Sequence, residues 1–279
     1  MKVCPRLSLR LKFIQLYMVQ NKRLFKGCNW RWLGSMLLAI IFVGCQDNHD
    51  IKIVIATAAN MEPAMETLTK IYADRTGAEF ELIVGSSGKL TAQIMEGAPF
   101  DIFVAANMKY PEAVYNGGKA KNAPKVYANG QLVLWSMEGN TPVSMATLSD
   151  PAIKHIALAN PKTAPYGVAA EEVLQHYGLK DILAPKLVFG ESVGQTDQFI
   201  VSKAAQIGFT ALSTVLAPEM KGRGSYIVLD PSLYSNIGQG VVIVEREENM
   251  NPGAQGFYDF LFTIEAKEIL KEFGYLINE

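Results

Sequence analysis

Strand-like and helix-like segments alternate through the first part of this chain, and this alternation limits the fold more than any other feature. Residues 51–57 (IKIVIAT) form a β-branched apolar run, typical of a strand buried on both faces of a parallel sheet. A helical stripe follows, made by Met61, Met65, Leu68 and Tyr72. Residues 80–84 and 101–105 predict two more strands with a helix between them. This order predicts a parallel α/β sheet.

A second series of alternating segments begins after a loop rich in Gly, Asn and Lys. Its predicted strands are residues 131–135, 153–159, 186–189 and 207–210, and its predicted helices are 167–177 and 196–205. A strand at 241–245 and a helix at 254–273 have no partner in this series, so we return them to the first. The sequence therefore predicts two α/β lobes joined by two crossings, with a cleft between them. Lobe 1 comprises residues 51–130 and 240–279, and lobe 2 comprises residues 131–239.

The first 44 residues differ from the rest of the chain in charge. Eight of the 26 Lys and Arg side chains lie there and none of the 27 Asp and Glu, so the remaining residues carry a net charge of −9. The apolar run at residues 32–44 is too short to span about 30 Å of hydrocarbon. Residues 1–44 therefore predict a signal peptide, and Met18 is an alternative start that would give it a more usual length.

A cysteine follows the apolar run directly. Residues 42–45 (FVGC) resemble a lipoprotein processing site, in which a small residue precedes the cysteine that becomes acylated. We therefore expect Cys45 to be a lipid anchor and the polar residues 45–50 to be a tether. The alternative is a conventional signal peptide with a stray thiol at this position. Cys4 and Cys28 lie in the part that would be removed, so we expect no disulfide in the mature fold.

Composition and motifs argue against several classes of function. An acidic mature chain is a poor match for the phosphate backbone of a nucleic acid, so no nucleic-acid partner is expected. His49, His155 and His176 are scattered without ligand spacing, which argues against a zinc site. The glycine-rich turns lack the Lys-Ser or Lys-Thr ending of a P-loop, and residues 85–88 (GSSG) are not a nucleophile elbow. A phosphatase or hydrolase using the same cleft is an alternative, but no paired acid and base accompanies it.

Small and hydroxyl residues mark the points where predicted strands give way to helices. They are residues 58–60 (AAN) and 85–88 (GSSG) in the first lobe, and 164–167 (APYG) and 191–194 (ESVG) in the second. Ligands of α/β sheets bind at the carboxyl ends of the strands, where the first N–H groups of the helices are unpaired. These groups and the helix dipole can hold an anion without a cationic side chain. Four such helix starts predict an anion site in the cleft.

Each of these residues also has an ordinary structural role. Asn60, Ser86 and Ser87 are common N-cap residues, Tyr166 is suited to the rim of a cleft, and Val193 is suited to a core. Taken singly, each is more often a cap or a packing residue than a ligand. Their joint placement at corresponding turns of both lobes favours the anion site.

Three segments resemble the molybdate-binding proteins of ABC importers. They are residues 56–72, residues 85–107 (GSSGKLTAQIMEGAPFDIFVAAN) and residues 257–275 (FYDFLFTIEAKEILKEFGY). The resemblance extends over residues 51–275. It implies a bilobed type II periplasmic-binding-protein fold that closes on molybdate or tungstate and delivers the ion to the membrane subunits of the importer. It implies a binding protein, not an enzyme, with no cofactor besides the bound ion.

The resemblance also assigns roles to individual residues. Asn60 matches a Ser or Asn ligand after the first strand, and Ser87 matches the hydroxyl and amide donor of the second helix. Tyr166 and Val193 match positions that contribute backbone amides. These four residues are therefore expected to hold the molybdenum oxyanion. Two neighbours are second choices: Ala59 and Ser86.

One position departs from the pattern of the family. Many relatives have a tyrosine at the end of the strand that here covers residues 207–211, and its hydroxyl donates to the ion. This chain has Ala211 there. Either the hydroxyl of Tyr166 takes over, which we expect, or the ion is held by one donor fewer.

Other ligands and another class of bilobed protein are also consistent with this sequence pattern. Another small oxyanion, such as sulfate or a phosphonate, is the alternative ligand. A ligand-sensing module of a regulator shares the bilobed architecture, but an export segment stands here in place of a DNA-binding motif. We expect a monomer in the periplasm or at the cell surface, held to the membrane by its lipid anchor.

Overall fold

Ten strands in two sheets frame the part of the chain that the structure describes. The structure is a computed structural model, and it describes residues 52–139, 142–246 and 251–277. The predicted signal peptide, the Cys45 anchor and the tether at 45–50 lie outside the described residues. Within them, no helix combines the length and the apolar character needed to cross a membrane.

The strands follow the predicted alternation. In chain order they are β1 (Ile53–Ala58), β2 (Phe80–Gly85), β3 (Ile102–Ala105), β4 (Lys125–Gly130), β5 (Leu132–Ser136), β6 (Ile156–Ala159), β7 (Leu187–Gly190), β8 (Ile207–Ala211), β9 (Ser225–Val228) and β10 (Ile237–Ile243). The sheet of lobe 1 has the order β2-β1-β3-β10-β4, and that of lobe 2 has the order β7-β6-β8-β5-β9. The two orders correspond strand for strand.

Each sheet is parallel on one side and antiparallel on the other. β1 pairs in parallel with β2 and β3, and β6 does the same with β7 and β8. β10 runs antiparallel to β3 and β4, and β5 runs antiparallel to β8 and β9. The predicted parallel sheet is therefore correct for three strands of each lobe. It is wrong for the other two, because β5 and β10 enter a lobe from the crossings and not from a helix of that lobe.

Nine α-helices lie in the described ranges and connect these strands. They are α1 (Glu62–Thr76), α2 (Ser87–Met95), α3 (Lys109–Asn116), α4 (Pro165–His176), α5 (Lys180–Leu183), α6 (Val193–Val201), α7 (Leu212–Leu216), α8 (Gly253–Phe260) and α9 (Ile264–Glu272). The single helix predicted over residues 254–273 is wrong. Thr263 has an extended backbone, and its side chain accepts the N–H of Ala266 at 3.2 Å, so it caps a new helix.

Two short crossings connect the lobes. The chain leaves lobe 1 after Gly130, and β5 begins at Leu132 in lobe 2. It returns before Ile237, a few residues ahead of the expected boundary at 240, because residues 237–239 already pair with β4.

Apolar side chains cover both faces of each sheet. In lobe 1, Ile55 and Leu68 pack with Phe257 on one face, while Leu90 packs with Phe103 on the other. A further cluster contains residues of both lobes, among them Ala58, Ala59, Ala106, Tyr166 and Val193. The lobes therefore contact each other at the ends of the strands, where the site residues were predicted.

A candidate anion site between four helix starts

One pair of helix starts has the same local structure in both lobes. Ser86 and Ser192 are N-cap residues, and each Oγ accepts a backbone N–H three residues later, at 3.4 and 3.3 Å. Ser87 and Val193 are therefore the first residues of α2 and α6. Ser86 acts as a cap, as its ordinary role predicts.

The other pair of helix starts also matches. Ala58 and Ala164 have an extended backbone and precede the two helical segments. The 3-10 turn Ala59–Met61 leads into α1, and α4 begins one residue after Ala164. Asn60 and Tyr166 each lie two residues after the extended alanine. The lobes thus present corresponding residues in pairs, although the sequence shows no internal repeat.

The four helix starts meet between the lobes. The N–H of Gly88 donates to the C=O of Thr163 at 2.9 Å, which joins the start of α2 to the turn before α4. A Cβ placed on Gly194 would lie 3.5 Å from that of Ala59, so the start of α6 packs against the turn before α1. The predicted residues are between 1% and 7% exposed. The structure brings all six to one buried region: Asn60, Ser87, Tyr166, Val193, Ala59 and Ser86.

The hydroxyl hydrogen of Ser87 has no acceptor among the described residues. Its Oγ accepts the N–H of Ala106 at 3.0 Å, just beyond the end of β3. Because the oxygen accepts in this bond, its own hydrogen is available for another partner. Ser87 is buried, and a buried donor without an acceptor costs about 1–3 kcal/mol. A ligand that supplies an acceptor for this hydrogen is therefore favoured.

The carboxamide of Asn60 is used inside the protein. Its Nδ2 donates to Gln239 Oε1 at 2.8 Å and to the Tyr275 hydroxyl at 3.1 Å. Gln239 in turn donates its Nε2 to the C=O of Ile237 at 2.9 Å, so its oxygen faces Asn60. With both side-chain donors of Asn60 occupied, the backbone N–H at this helix start is the group that can face an anion.

The main-chain oxygen of Asn60 is held as well. The hydroxyls of Tyr275 and Ser213 donate to it at 2.8 and 2.7 Å. Burial raises the pKa of Tyr275 far above its usual range, so this hydroxyl stays protonated and remains a donor. Asn60 is thus held by its side chain and by its carbonyl group.

The hydroxyl of Tyr166 has no hydrogen-bond partner among the described residues, and neither has Asn60 Oδ1. The Tyr166 ring lies in the interior, and its hydroxyl passes so close to Gly130 that a Cβ there would be 2.1 Å from it. Burial raises the pKa of Tyr166 well above its ordinary value, and the Tyr275 hydroxyl raises it further, while the nearby Asn60 side chain partly offsets this. Tyr166 is therefore a neutral, buried donor.

Ala211 ends β8 and is fully buried. It carries no donor, and the next hydroxyl along the chain, that of Ser213, is directed at the carbonyl of Asn60. The hydroxyl of Tyr166, by contrast, is buried and has no partner among the described residues.

A half-buried carboxyl lies one turn into α6. Asp197 accepts hydrogen bonds from the hydroxyls of Thr210 and Thr214, the latter at 3.0 Å. It lines a groove between the lobes together with Ala59 and Glu62. Burial raises the pKa of Asp197 to about 7; the hydroxyls oppose this and the charge of Glu62 adds to it. At neutral pH this group is only partly ionised.

The donor set fits a small anion. The region offers helix N–H groups, the Ser87 hydroxyl and the Tyr166 hydroxyl, and none of the six predicted residues carries a formal charge. Donors held by a rigid fold and backed by helix dipoles stabilise a buried anion. This arrangement is suited to binding an anion.

Sequence reasoning did not identify the residues that support the site. Gln239, Tyr275 and Ser213 hold Asn60, and Thr163 contacts Gly88. A polar residue in the apolar strand at 237–243 was the available signal for Gln239, because a buried amide requires partners. Nothing local marks the others, since their partners lie far away in the sequence.

Comparison with known proteins identifies a family for the described part of the chain. Residues 53–276 match the family model of bacterial extracellular solute-binding proteins. The chain is 38% identical to the molybdate-binding protein of Azotobacter vinelandii over 245 residues, which cover 87% of this chain and 94% of that protein. It is 36% identical to the molybdate-binding protein of Rhodobacter capsulatus, over 87% and 95% of the two chains.

A solved structure agrees with these matches. The periplasmic molybdate-binding protein of Azotobacter vinelandii superposes with a TM-score of 0.77 and 33% sequence identity, over 82% of this chain and all of that one. The bilobed α/β architecture predicted from the sequence is thus confirmed.

Proposed function

Because the chain belongs to the bacterial extracellular solute-binding proteins, and among them to the molybdate-binding proteins, we propose that it captures molybdate or tungstate outside the cytoplasm. The ion would lie in the cleft between the lobes and pass from there to the membrane subunits of an ABC importer. The observation that carries this proposal is the meeting of four helix starts in one buried region, with donors that the protein leaves free.

The ligands we propose are the predicted ones. Ser87 donates through its hydroxyl and its backbone N–H, and Asn60 and Val193 donate through backbone N–H groups. Tyr166 donates through its N–H and, in place of the family tyrosine missing at Ala211, through its hydroxyl. Ala59 and Ser86 remain the second choices as ligands beside them. The unpartnered hydroxyl of Tyr166 supports this assignment.

A site made of donors selects by protonation state. Molybdate, tungstate and sulfate are fully deprotonated near neutral pH, whereas phosphate keeps a proton that would face another donor. A buried donor left without an acceptor costs on the order of 1–3 kcal/mol. Sulfate has the same charge as molybdate, so it must be excluded by its smaller size. Binding measurements with sulfate and with a phosphonate therefore distinguish these alternative ligands from molybdate.

We further propose that the mature chain is a monomer held to the membrane by a lipid on Cys45. The processing motif at residues 42–45 supports the lipid anchor. Metabolic labelling with a fatty acid should mark the wild-type protein and not a Cys45→Ala variant, and an unlabelled wild type would refute the anchor.

Thermal unfolding in the presence of four ions tests the proposed function. The purified mature protein should be stabilised strongly by molybdate and tungstate, because a ligand that binds only the folded state raises its stability by mass action. Sulfate and phosphate at the same concentration should have little effect. Stabilisation by phosphate alone, or by none of the four ions, would contradict the proposal.

A further inference from the structure

Gly88 is a point of direct backbone contact between the lobes. Its N–H donates to the C=O of Thr163 at 2.9 Å. A Cβ built on Gly88 would lie 3.0 Å from Cα, 3.1 Å from the carbonyl oxygen and 3.2 Å from Cβ of Thr163. Carbon atoms normally approach to about 3.5–4.0 Å, so a side chain here would crowd Thr163 unless this contact widened by a few tenths of an ångström.

The atoms that a Cβ on Gly88 would meet are mostly main chain. Two of the three belong to the backbone of Thr163, and the C=O of Asn160 accepts the N–H of this residue at 3.1 Å. Gly88 lies in the first turn of α2 without a positive φ angle, so its backbone conformation is open to any residue. What glycine provides at this position is therefore space and not conformational freedom.

We propose that Gly88 is a spacing residue that determines how closely the two lobes approach over the bound ion. This inference depends on the proposed function, because it concerns the same cleft. Gly88 follows Ser87, the proposed donor of lobe 1, and Thr163 lies three residues before Tyr166 of lobe 2. A displacement at this contact therefore changes the distance between donors of the two lobes.

Lobe 2 provides a matched control at the equivalent position. Gly194 is the second residue of α6, as Gly88 is of α2. A Cβ on Gly194 would be 3.5 Å from Cβ of Ala59 and 3.8 Å from Oγ of Ser192, which are ordinary contacts. Alanine thus makes ordinary contacts at Gly194 and crowds the opposite lobe at Gly88, although the substitution is the same in both helices.

The test compares Gly88→Ala and Gly194→Ala by calorimetric titration with molybdate and by stopped-flow dissociation. Gly88→Ala should weaken binding by about tenfold, the value of one good hydrogen bond. The loss should appear mainly as faster dissociation, because most effects of such substitutions lie in the off-rate. Gly194→Ala should stay within about twofold of the wild type.

Folding is controlled in the same experiment. Alanine is a better helix former than glycine, so the unliganded variants should unfold no earlier than the wild type. Gly88→Ser, whose Cβ occupies the same place, should repeat the loss and serves as a second variant. Wild-type affinity in Gly88→Ala, or an equal loss in both alanine variants, would overturn the spacing role. Failure of the wild type itself to bind molybdate would instead refute the proposed function.

Discussion

Two neighbouring serines at the start of α2 have different partners and therefore different expected roles. Ser86 accepts a backbone N–H of its own helix. Ser87 accepts the N–H of Ala106 from another segment, and its own hydrogen has no acceptor in the part of the chain that the structure describes. Sequence reasoning ranked Ser87 above Ser86 from family resemblance. The hydrogen bonds supply a physical reason for the same order.

Ser87→Ala should weaken molybdate binding by roughly ten- to a hundredfold. A hydrogen bond to a charged group contributes about 1.5–3 kcal/mol, which corresponds to this change in affinity. Ser86→Ala is the matched control and should mainly lower the free energy of unfolding, by about 1 kcal/mol for a lost cap. Calorimetric titration and chemical unfolding of both variants measure the two effects. Equal affinity losses would contradict the division of roles.

Tyr166→Phe separates a ligand from a packing residue. The hydroxyl has no partner among the described residues, so its removal should leave the free energy of unfolding unchanged or slightly higher. If the hydroxyl donates to the ion, affinity should fall by about tenfold. Tyr166→Phe should thus lower the affinity for the ion without lowering the free energy of unfolding. An unchanged affinity would show that Tyr166 contributes only through its backbone.

The pKa of Asp197, raised to about 7, predicts a pH-dependent stability. A carboxyl of raised pKa binds its proton more tightly in the folded state, so its favourable contribution is complete at acidic pH. That contribution declines as the pH rises from about 4, the ordinary pKa of an Asp carboxyl group, to about 7, and it is constant above pH 7. Unfolding of the unliganded protein between pH 4 and 8 measures this decline. Asp197→Asn should flatten it, and an identical pH profile in the variant would contradict the assignment.

At the scale of secondary structure, an ion pair ties together three strands of lobe 1. Asp101 precedes β3 and is fully buried, and it accepts the N–H of Val54 in β1 at 2.8 Å. Its other oxygen pairs with Arg246, just beyond β10, at 2.7 Å. The carboxylate therefore joins segments far apart in the sequence, on the side of the sheet where β10 runs antiparallel.

Arg246→Ala should lower the free energy of unfolding by roughly 3 kcal/mol, because it leaves a buried carboxylate without its counter-charge. Arg75→Ala is the control, since Arg75 pairs with Glu265 on the exposed surface, where an ion pair contributes little. Urea unfolding of the two variants compares them directly. Similar losses in both would show that the Asp101 pair has no special structural role.

How far the sequence predicts these elements depends on the range of the interactions involved. The β-branched run before Ala58 and the turn at 85–88 are local signals, so β1, β2 and the helices that follow them were predicted closely. The break at Thr263 and the pairing of β10 were not. Thr263 lies within an apolar stretch, where the sequence is equally consistent with one continuous helix. The direction of β10 depends on partner strands more than 100 residues away.

For the molecule as a whole, the correspondence between the lobes organises the site. The strand orders match, and each pair of helix starts places corresponding residues at the interface. The fold class was accessible from the sequence, and the six residues singled out there lie together in the structure because each follows the end of a strand. Their role in holding the ion stays a prediction. The supporting contacts of Asn60 and the spacing at Gly88 were not accessible from the sequence, because they exist only when the two lobes meet.

The central claim is that the closed cleft holds one fully deprotonated tetrahedral oxyanion of the size of molybdate. Calorimetric titration of the purified mature protein with molybdate, repeated with sulfate already present in large excess, tests it most directly. We predict one ion per chain and a dissociation constant in the micromolar range or below, little changed by sulfate. Absence of heat with molybdate, or displacement of the ion by sulfate, would contradict the account.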